Sequence, residues 1–282
     1  MSYTTLISTE ELARNLENSQ FAIFDVRFTL DDEAWGKKVY QEAHIPNAIH
    51  ADLGTDLSGE IIPGVTGRRP FPTAETFAET LGKWGITPET QVICYDAESG
   101  LMAASRLWLM FRWMGHEKVA VLDGGLTAWN REGLPLSQQA RKISPTIFTP
   151  NLREDLFVDV NKVDAARNDS GFCVFDSRGA EGYHGGGKYY DPVRGHIAGA
   201  GLADRAETTN SEGFFRSKEE LKTHYASLIG DVKPENTIFY CGSGVTAAQN
   251  VLAMKHAGYA DSKMYIGSCS EWITDPKRQI AL

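Results

Sequence analysis

The sequence has few cysteines, and their spacing is not that of a zinc site or of a set of disulfide bonds. The four in the 282-residue chain are Cys94, Cys173, Cys241 and Cys269. None forms a Cys-x-x-Cys pair and none has the spacing of metal ligands, which argues against a zinc site and against a disulfide framework. Each cysteine must therefore be judged singly, and an ordinary one is a small buried hydrophobic residue.

Long apolar runs and an excess of positive charge are also lacking. No apolar stretch approaches the roughly 18 residues of a membrane span, and the polar start of the chain does not have the pattern of a signal peptide. We therefore expect a cytoplasmic protein that does not contact membranes. A net charge of −9, from 28 basic and 37 acidic residues, argues against nucleic-acid binding. A small anion can still bind where positive groups are concentrated locally.

The composition is that of a globular chain, with 42% hydrophobic and 23% charged residues. Its main organisational feature is an internal repeat, since motifs of the first half recur in the same order in the second. The clearest pairs are Phe21-Ala-Ile-Phe-Asp-Val-Arg27 with Phe172-Cys-Val-Phe-Asp-Ser-Arg178, and Ala43-His-Ile-Pro-Asn-Ala48 with Gly195-His-Ile-Ala-Gly-Ala200. The repeat predicts a duplicated domain.

Short apolar runs alternate with amphipathic stretches in both halves. Residues 91–95 and 237–240 are typical of buried strands, while residues 73–84 and 247–257 are typical of helices. This alternation predicts an α/β fold with a parallel sheet covered on both faces. We expect one domain over residues 1–137, a polar linker with two prolines over 138–156, and a second domain over 157–282.

One loop of the second half has the composition of a catalytic site. An apolar strand leads into Cys241-Gly-Ser-Gly-Val-Thr246, and a helical pattern follows. The glycines Gly242 and Gly244 let backbone N–H groups turn toward the sulfur, beside a helix N-terminus that favours an anion. This setting should lower the pKa of the thiol and make it reactive. The alternative is a buried cysteine in a glycine-rich turn.

The Cys241 loop resembles the active-site loop of 3-mercaptopyruvate sulfurtransferases of the rhodanese superfamily. The resemblance extends over nearly the whole chain through Asp25-Val-Arg27, His44-Ile-Pro46, Gly67-Arg-Arg-Pro70 and Gly267-Ser-Cys-Ser-Glu-Trp272. It implies tandem rhodanese domains, each a mostly parallel five-stranded sheet with helices on both faces. It also implies that only the second domain is catalytic. Asp96 stands at the position of Cys241 in the first half, and a carboxylate cannot carry sulfur.

The resemblance implies roles for several further residues. It suggests a Ser–His–Asp relay near Cys241, with His44 as the histidine. Ser243 would donate a hydrogen bond to the persulfide or the substrate. Gly242, Gly244, Val245 and Thr246 would form the cradle for the sulfur anion. The alternatives are that His44 holds its own loop through backbone hydrogen bonds, and that Thr246 caps the following helix. For Ser243 we favour the catalytic role, and for Thr246 the role of capping the helix.

The substrate-binding cations are less well defined by the pattern. Arg178 lies on the side where family members bind substrate, but Asp-x-Arg occurs in both halves, which favours a structural ion pair with Asp176. Gly182 stands where mercaptopyruvate enzymes have an arginine. Arg194 is the first candidate to replace that arginine as the ligand of the substrate carboxylate, and Lys188 and Arg178 are the next candidates.

These assignments predict covalent sulfur transfer without a metal or cofactor. The Cys241 thiolate takes sulfur from a small anionic donor, 3-mercaptopyruvate, and passes the persulfide sulfur to cyanide or to a thiol, such as a reduced thioredoxin-like protein. Two alternatives stay open. One is a thiosulfate:cyanide sulfurtransferase, and the other is a sulfur-relay or binding module that does not turn over a donor.

Overall fold

The computed structural model describes residues 2–282, which divide into two compact units. The first unit comprises the residues up to Gly59, Phe71–Arg153 and Ser211–Phe215, and the second comprises Glu60–Pro70, Glu154–Asn210 and Arg216–Leu282. Each unit thus includes one short segment from the other half of the chain. The sequence pattern predicted two continuous domains, residues 1–137 and 157–282, and did not predict that each unit includes a segment from the other half.

The first unit alternates strand and helix from its beginning to its end. Its elements are β1 (Leu6–Ile7), α1 (Thr9–Arg14), β2 (Phe21–Asp25), α2 (Trp35–Glu42), β3 (Ala48–His50), α3 (Ala74–Lys83), β4 (Gln91–Tyr95), α4 (Ala104–Trp113), β5 (Val119–Leu122) and α5 (Gly125–Arg131). The strands form a parallel sheet in the order β1-β5-β4-β2-β3. Every residue of β2 and β4 is buried, so both faces of the sheet are covered.

The second unit repeats this plan. Its elements are β6 (Phe157–Val158), α6 (Val160–Ala166), β7 (Cys173–Asp176), α7 (Ala180–Tyr183), β8 (His196–Ile197), β9 (Gly201–Leu202), α8 (Lys218–Ile229), β10 (Thr237–Tyr240), α9 (Ala248–His256), β11 (Lys263–Tyr265), α10 (Ser268–Trp272) and β12 (Ile280–Ala281). The main sheet is parallel, in the order β6-β11-β10-β7-β9. Strands β8 and β12 form a separate antiparallel pair. The predicted α/β architecture is confirmed.

Each unit packs its sheet around its own apolar core. Trp129 is fully buried in the cluster of the first unit, and Trp272 is fully buried in that of the second. Cys94 is buried in β4 and Cys173 is half-buried in β7, and burial raises the pKa of both thiols. These two cysteines are therefore packing residues held in the unreactive thiol form.

The residues predicted as a linker are packed along the first unit as far as Arg153. Thr146 donates its backbone N–H to the carbonyl of Gly82 at 2.8 Å and its hydroxyl to that of Ile86 at 2.8 Å. Asn151 likewise donates to the carbonyl of Met114 at 3.0 Å. Backbone groups that bind the unit in this way fix the path of an otherwise irregular segment. Within residues 2–282, no helix is long and apolar enough to span a membrane.

Candidate active site

Strand β10 delivers Cys241 to the carboxyl edge of the second sheet, where α9 begins seven residues later. The Cys241 side chain is 1% exposed. The loop between them, residues 241–247, bends at Gly244, whose φ is +76°. A Cβ on Gly244 would lie 1.9 Å from the carbonyl oxygen of Ile266. The loop can therefore adopt this path only with glycine at position 244.

The sulfur of Cys241 is surrounded by hydrogen-bond donors. The hydroxyl of Thr246 and the backbone N–H groups of Ala247 and Ser243 are hydrogen-bond partners of the sulfur. The Ser268 hydroxyl lies 3.9 Å from the sulfur and also donates to the carbonyl of Tyr265 at 3.0 Å. Burial raises the pKa of the Cys241 thiol, but these donors favour the thiolate more strongly, and the net effect is a pKa below the ordinary value. The loop therefore stabilises a buried sulfur anion, which is the reactive form of cysteine.

Ser243 and Thr246 both contact the Cys241 sulfur, but through different groups. Ser243 contributes its backbone N–H to the sulfur, whereas Thr246 contributes its hydroxyl. Helix α9 has Ala247 as its N-cap, with no side-chain cap hydrogen bond. The expectation that Thr246 caps the helix is therefore wrong, because its hydroxyl is directed to the Cys241 sulfur instead.

A second segment, residues 267–270, is hydrogen-bonded to the backbone of the Cys241 loop. Cys269 donates its N–H to the carbonyl of Cys241 at 3.1 Å, and Ser270 donates its N–H to the carbonyl of Gly242 at 2.9 Å. The Ser268 hydroxyl accepts the Cys241 N–H at 3.1 Å and lies 3.9 Å from the sulfur. Sequence reasoning missed Ser268, although the motif Gly267-Ser-Cys-Ser-Glu-Trp272 was recognised. Burial raises the pKa of the Cys269 thiol well above its usual range, so Cys269 has a packing role.

The corresponding loop of the first unit holds a carboxylate. Asp96 follows β4 as Cys241 follows β10, and it is 1% exposed. Its carboxylate accepts four backbone N–H groups at 3.1–3.2 Å, from Glu98, Gly100, Met102 and Ala104. The repeat therefore uses the same strand-to-loop position in both units to surround an anionic group with donors.

His44 has the contacts of a structural residue. Its Nδ1 lies 2.7 Å from the carbonyl oxygen of Tyr40 and its Nε2 lies 3.1 Å from that of Gln139, both within the first unit. The ring also stacks on Tyr40 with centroids 4.0 Å apart. His196 of the second unit repeats the arrangement with Tyr183, at 2.9 Å for the hydrogen bond and 3.6 Å for the stacking. These contacts fit the loop-holding alternative for His44.

Arg178 is engaged by its own loop. Its guanidinium contacts both carboxylate oxygens of Asp176 at 2.6–3.0 Å and donates to the carbonyl of Gly195 at 2.7 Å. Arg27 of the first unit makes the same contacts with Asp25 and the carbonyl of Ala43. Because both units contain this cluster, it fits the structural ion pair that the repeat favoured.

The other two predicted substrate cations lie on the surface. Arg194 is exposed, places Nη1 3.3 Å from the carbonyl oxygen of Gly185 and lies over the ring of Tyr189. Lys188 is exposed over Tyr190, with Nζ 5.2 Å from the ring centroid. Among the described residues, no group of three or more acidic, histidine or cysteine side chains is arranged to hold a metal ion.

A cation that the sequence analysis did not select lies beside the Cys241 loop. Arg68 belongs to the segment Glu60–Pro70, which is part of the second unit. Its Nη2 is 3.5 Å from the point where a Cβ on Gly242 would lie, and the Cδ of Arg178 is 4.0 Å from that point. The sequence feature that could have indicated Arg68 is the pair of adjacent arginines in Gly67-Arg-Arg-Pro70.

The chain belongs to the rhodanese family. The family described as rhodanese-like domain matches it twice, over residues 8–132 and 159–275. Together the two matches cover most of the chain, one in each predicted repeat, and the predicted resemblance is confirmed.

The similar proteins of this family carry the names of two related activities. It is 38% identical to a probable 3-mercaptopyruvate sulfurtransferase of Pseudomonas aeruginosa, over all of this chain and 99% of the relative. It is 30% identical to the thiosulfate sulfurtransferase of Cricetulus griseus, over 96% of this chain and 92% of the relative. The solved structure of the 3-mercaptopyruvate sulfurtransferase from Leishmania major superposes with a TM-score of 0.82 at 28% identity, covering 95% of this chain and 74% of that one.

Proposed function

We propose that this protein transfers sulfur from 3-mercaptopyruvate through a persulfide on Cys241. The observation that carries the proposal is the set of donors around the Cys241 sulfur, two from the backbone and two from hydroxyls. A buried thiolate held in this way suits both the attack on sulfur and the storage of a persulfide anion. The relative at 38% identity, named for this activity, supports the choice of donor.

In the first half of the reaction, the Cys241 thiolate attacks the sulfur of 3-mercaptopyruvate. A sulfur–sulfur bond forms and the carbon–sulfur bond of the donor breaks. The electron pair of the broken bond leaves with the carbon as the enolate of pyruvate, which takes up a proton. The donor carbon is reduced and Cys241 is oxidised to a persulfide, so no external oxidant is required. The N–H groups of Ser243 and Ala247 are positioned to bind the charge that remains on sulfur.

In the second half, a nucleophile removes the outer sulfur and regenerates the Cys241 thiolate. Cyanide would leave as thiocyanate. A thiol would take the sulfur as its own persulfide, and a dithiol protein of the thioredoxin type could then release it as sulfide while forming a disulfide. In this proposal the first unit does not carry sulfur, since Asp96 occupies the position of the nucleophile.

Thiosulfate is the second candidate donor, because relatives named thiosulfate sulfurtransferases match the chain at 30% identity. Sulfite would then leave instead of pyruvate, and the persulfide step would be the same. The Cys241 loop has no charged side chain from residue 241 to residue 247. This neutral loop suits the singly charged mercaptopyruvate better than the dianion thiosulfate.

Comparing kcat/KM on the two donors tests the proposal. Pyruvate release from 3-mercaptopyruvate and thiocyanate formation from thiosulfate are measured with the same cyanide concentration. We expect the higher kcat/KM for 3-mercaptopyruvate. A higher value for thiosulfate would reverse the donor assignment. Failure to turn over either donor would leave the sulfur-relay module as the better interpretation.

A further inference from the structure

We infer that a cleft of the first unit binds a small polar oxyanion, a carboxylate or a phosphate. The cleft has a volume of about 610 Å³, which is within the range of small-molecule sites. Its walls are the loop 16–21 between α1 and β2, the turn at Pro46 and Asn47, and the segment 137–142 that follows α5. All of these residues belong to the first unit, so the inference is independent of sulfur transfer on Cys241.

Hydrogen bonds hold the walls of this cleft in place. Asn47 donates its side-chain amide to the carbonyl of Leu16 at 2.9 Å, from a left-handed backbone conformation with a φ of +64° that asparagine tolerates. In the segment after α5, Ser137 and His44 exchange backbone hydrogen bonds at 2.8 and 2.9 Å. Nε2 of His44 also lies 3.1 Å from the carbonyl oxygen of Gln139. The cleft is therefore a formed feature of the folded unit.

The protein does not neutralise the charge of Arg141, which lines this cleft. The side chain is half-buried, and burial lowers the pKa of its guanidinium. Nη1 donates to the carbonyl of Phe21 at 2.5 Å, and within residues 2–282 the guanidinium pairs with no carboxylate. The carbonyl uses one N–H, so the rest of the planar fork can bind a ligand oxyanion. A partly buried cation without a counter-ion is destabilising, and a bound anion would compensate it.

The other polar groups of the lining suit a hydrophilic anion. Lys142 follows Arg141 in the lining and, like it, pairs with no carboxylate of the described chain. Asn18 and Gln139 add side-chain amides that can donate to ligand oxygens. Glu17 is the acid of the lining, and it is exposed to water, where its repulsion of an anion is screened. Two cations and one acid give the cleft an excess of positive charge, on a chain whose net charge is −9.

The second unit shows how a cation is accommodated at the matching place without a ligand. Arg167 donates to the carbonyl of Ala198, the residue that matches Pro46 in the repeat, at 2.9 Å. Arg167 also pairs with Asp164 at 2.8 Å, so its charge is neutralised within the unit. It is therefore the matched control for Arg141, because both guanidiniums are partly buried and donate to a backbone carbonyl.

Calorimetric titration of the full chain with inorganic phosphate and with malonate, at constant ionic strength, tests the inference. We expect saturable binding of at least one of these anions with a Kd of about 1 mM or below, an affinity that two charge-assisted hydrogen bonds can supply. The anion that binds more tightly identifies the oxyanion group as phosphate or carboxylate. A wild-type chain that binds neither anion saturably would overturn the inference.

The variants assign the binding to the cleft. Arg141→Gln should weaken the Kd about ten- to a hundredfold, while Arg167→Gln should change it less than about twofold. An anion bound beside Cys241 would instead slow the alkylation of that thiolate by iodoacetamide. Equal protection and an equal Kd in the wild type and in Arg141→Gln would place the anion there and contradict the cleft.

Lys142→Gln keeps the inference testable if thermal unfolding shows that Arg141→Gln does not fold. The Lys142 side chain is exposed, so its replacement should leave the unfolding temperature unchanged. Loss of its charge should weaken anion binding about two- to fivefold at low salt. A wild-type Kd in folded Lys142→Gln would count against the cleft as the binding site.

Discussion

Replacing Thr246 by valine removes one donor from the sulfur anion and keeps the branched shape of the side chain. In the structure the Thr246 hydroxyl donates to the Cys241 sulfur, which also receives the N–H groups of Ser243 and Ala247. A hydrogen bond to a charged group contributes about 1.5–3 kcal/mol. Its loss should raise the pKa of Cys241 and reduce the thiolate fraction at pH values below that pKa about ten- to a hundredfold.

The assay is the rate of alkylation of Cys241 by iodoacetamide as a function of pH. Thr246→Val should react about ten to a hundred times more slowly at neutral pH and recover to the wild-type rate in alkaline solution. Thr223→Val is a matched control, because the Thr223 hydroxyl donates to the carbonyl of Glu219 on α8. Superposable pH profiles for Thr246→Val and the wild type would refute the idea that the hydroxyl stabilises the thiolate.

Two further predictions concern the loops of the two units. Gly244→Ala should abolish sulfur transfer in an otherwise folded protein, since its Cβ would meet the Ile266 carbonyl oxygen at 1.9 Å; wild-type turnover would contradict this. Asp96→Ala should leave persulfide formation largely intact and lower the free energy of unfolding, because four buried N–H groups lose their acceptor. Burial also raises the pKa of Asp96 to about 6 in the folded protein, so the folded state keeps a proton that the unfolded chain loses near pH 4. The free energy of unfolding should fall by up to about 3 kcal/mol as the pH rises through this window, and chemical denaturation of Asp96→Ala should show a flatter profile.

The long buried elements of the fold could be predicted from local pattern. Strands β4 and β10 have the bounds that their apolar runs predicted, Gln91–Tyr95 and Thr237–Tyr240. Two-residue strands such as β1 and β6 are too short to show any periodicity, and pairing with a neighbouring strand defines them. The resemblance to the rhodanese family, and not the local pattern, implied five strands in each sheet.

Part of the candidate site could likewise be predicted from one local segment, and part of it comes from residues that are distant in the sequence. Cys241 and its cradle lie within one short segment, where glycine spacing and a following helix indicate an anion-binding loop. Ser268 lies 27 residues from Cys241, and Arg68 is 202 residues from the Ser270 hydroxyl that fixes it. Only the folded chain brings these residues to the loop. The expectation that Thr246 caps α9 failed because a hydroxyl at a helix start can bind either the backbone or a nearby anion.

The central claim is that Cys241 alone carries sulfur, and intact-mass measurement after incubation with 3-mercaptopyruvate tests it most directly. The wild type should gain the mass of one sulfur atom, which a reductant removes. Cys269→Ser, which changes the buried neighbour of the loop, should gain the same mass, whereas Cys241→Ser should gain none. A reducible sulfur on folded Cys241→Ser would contradict the account.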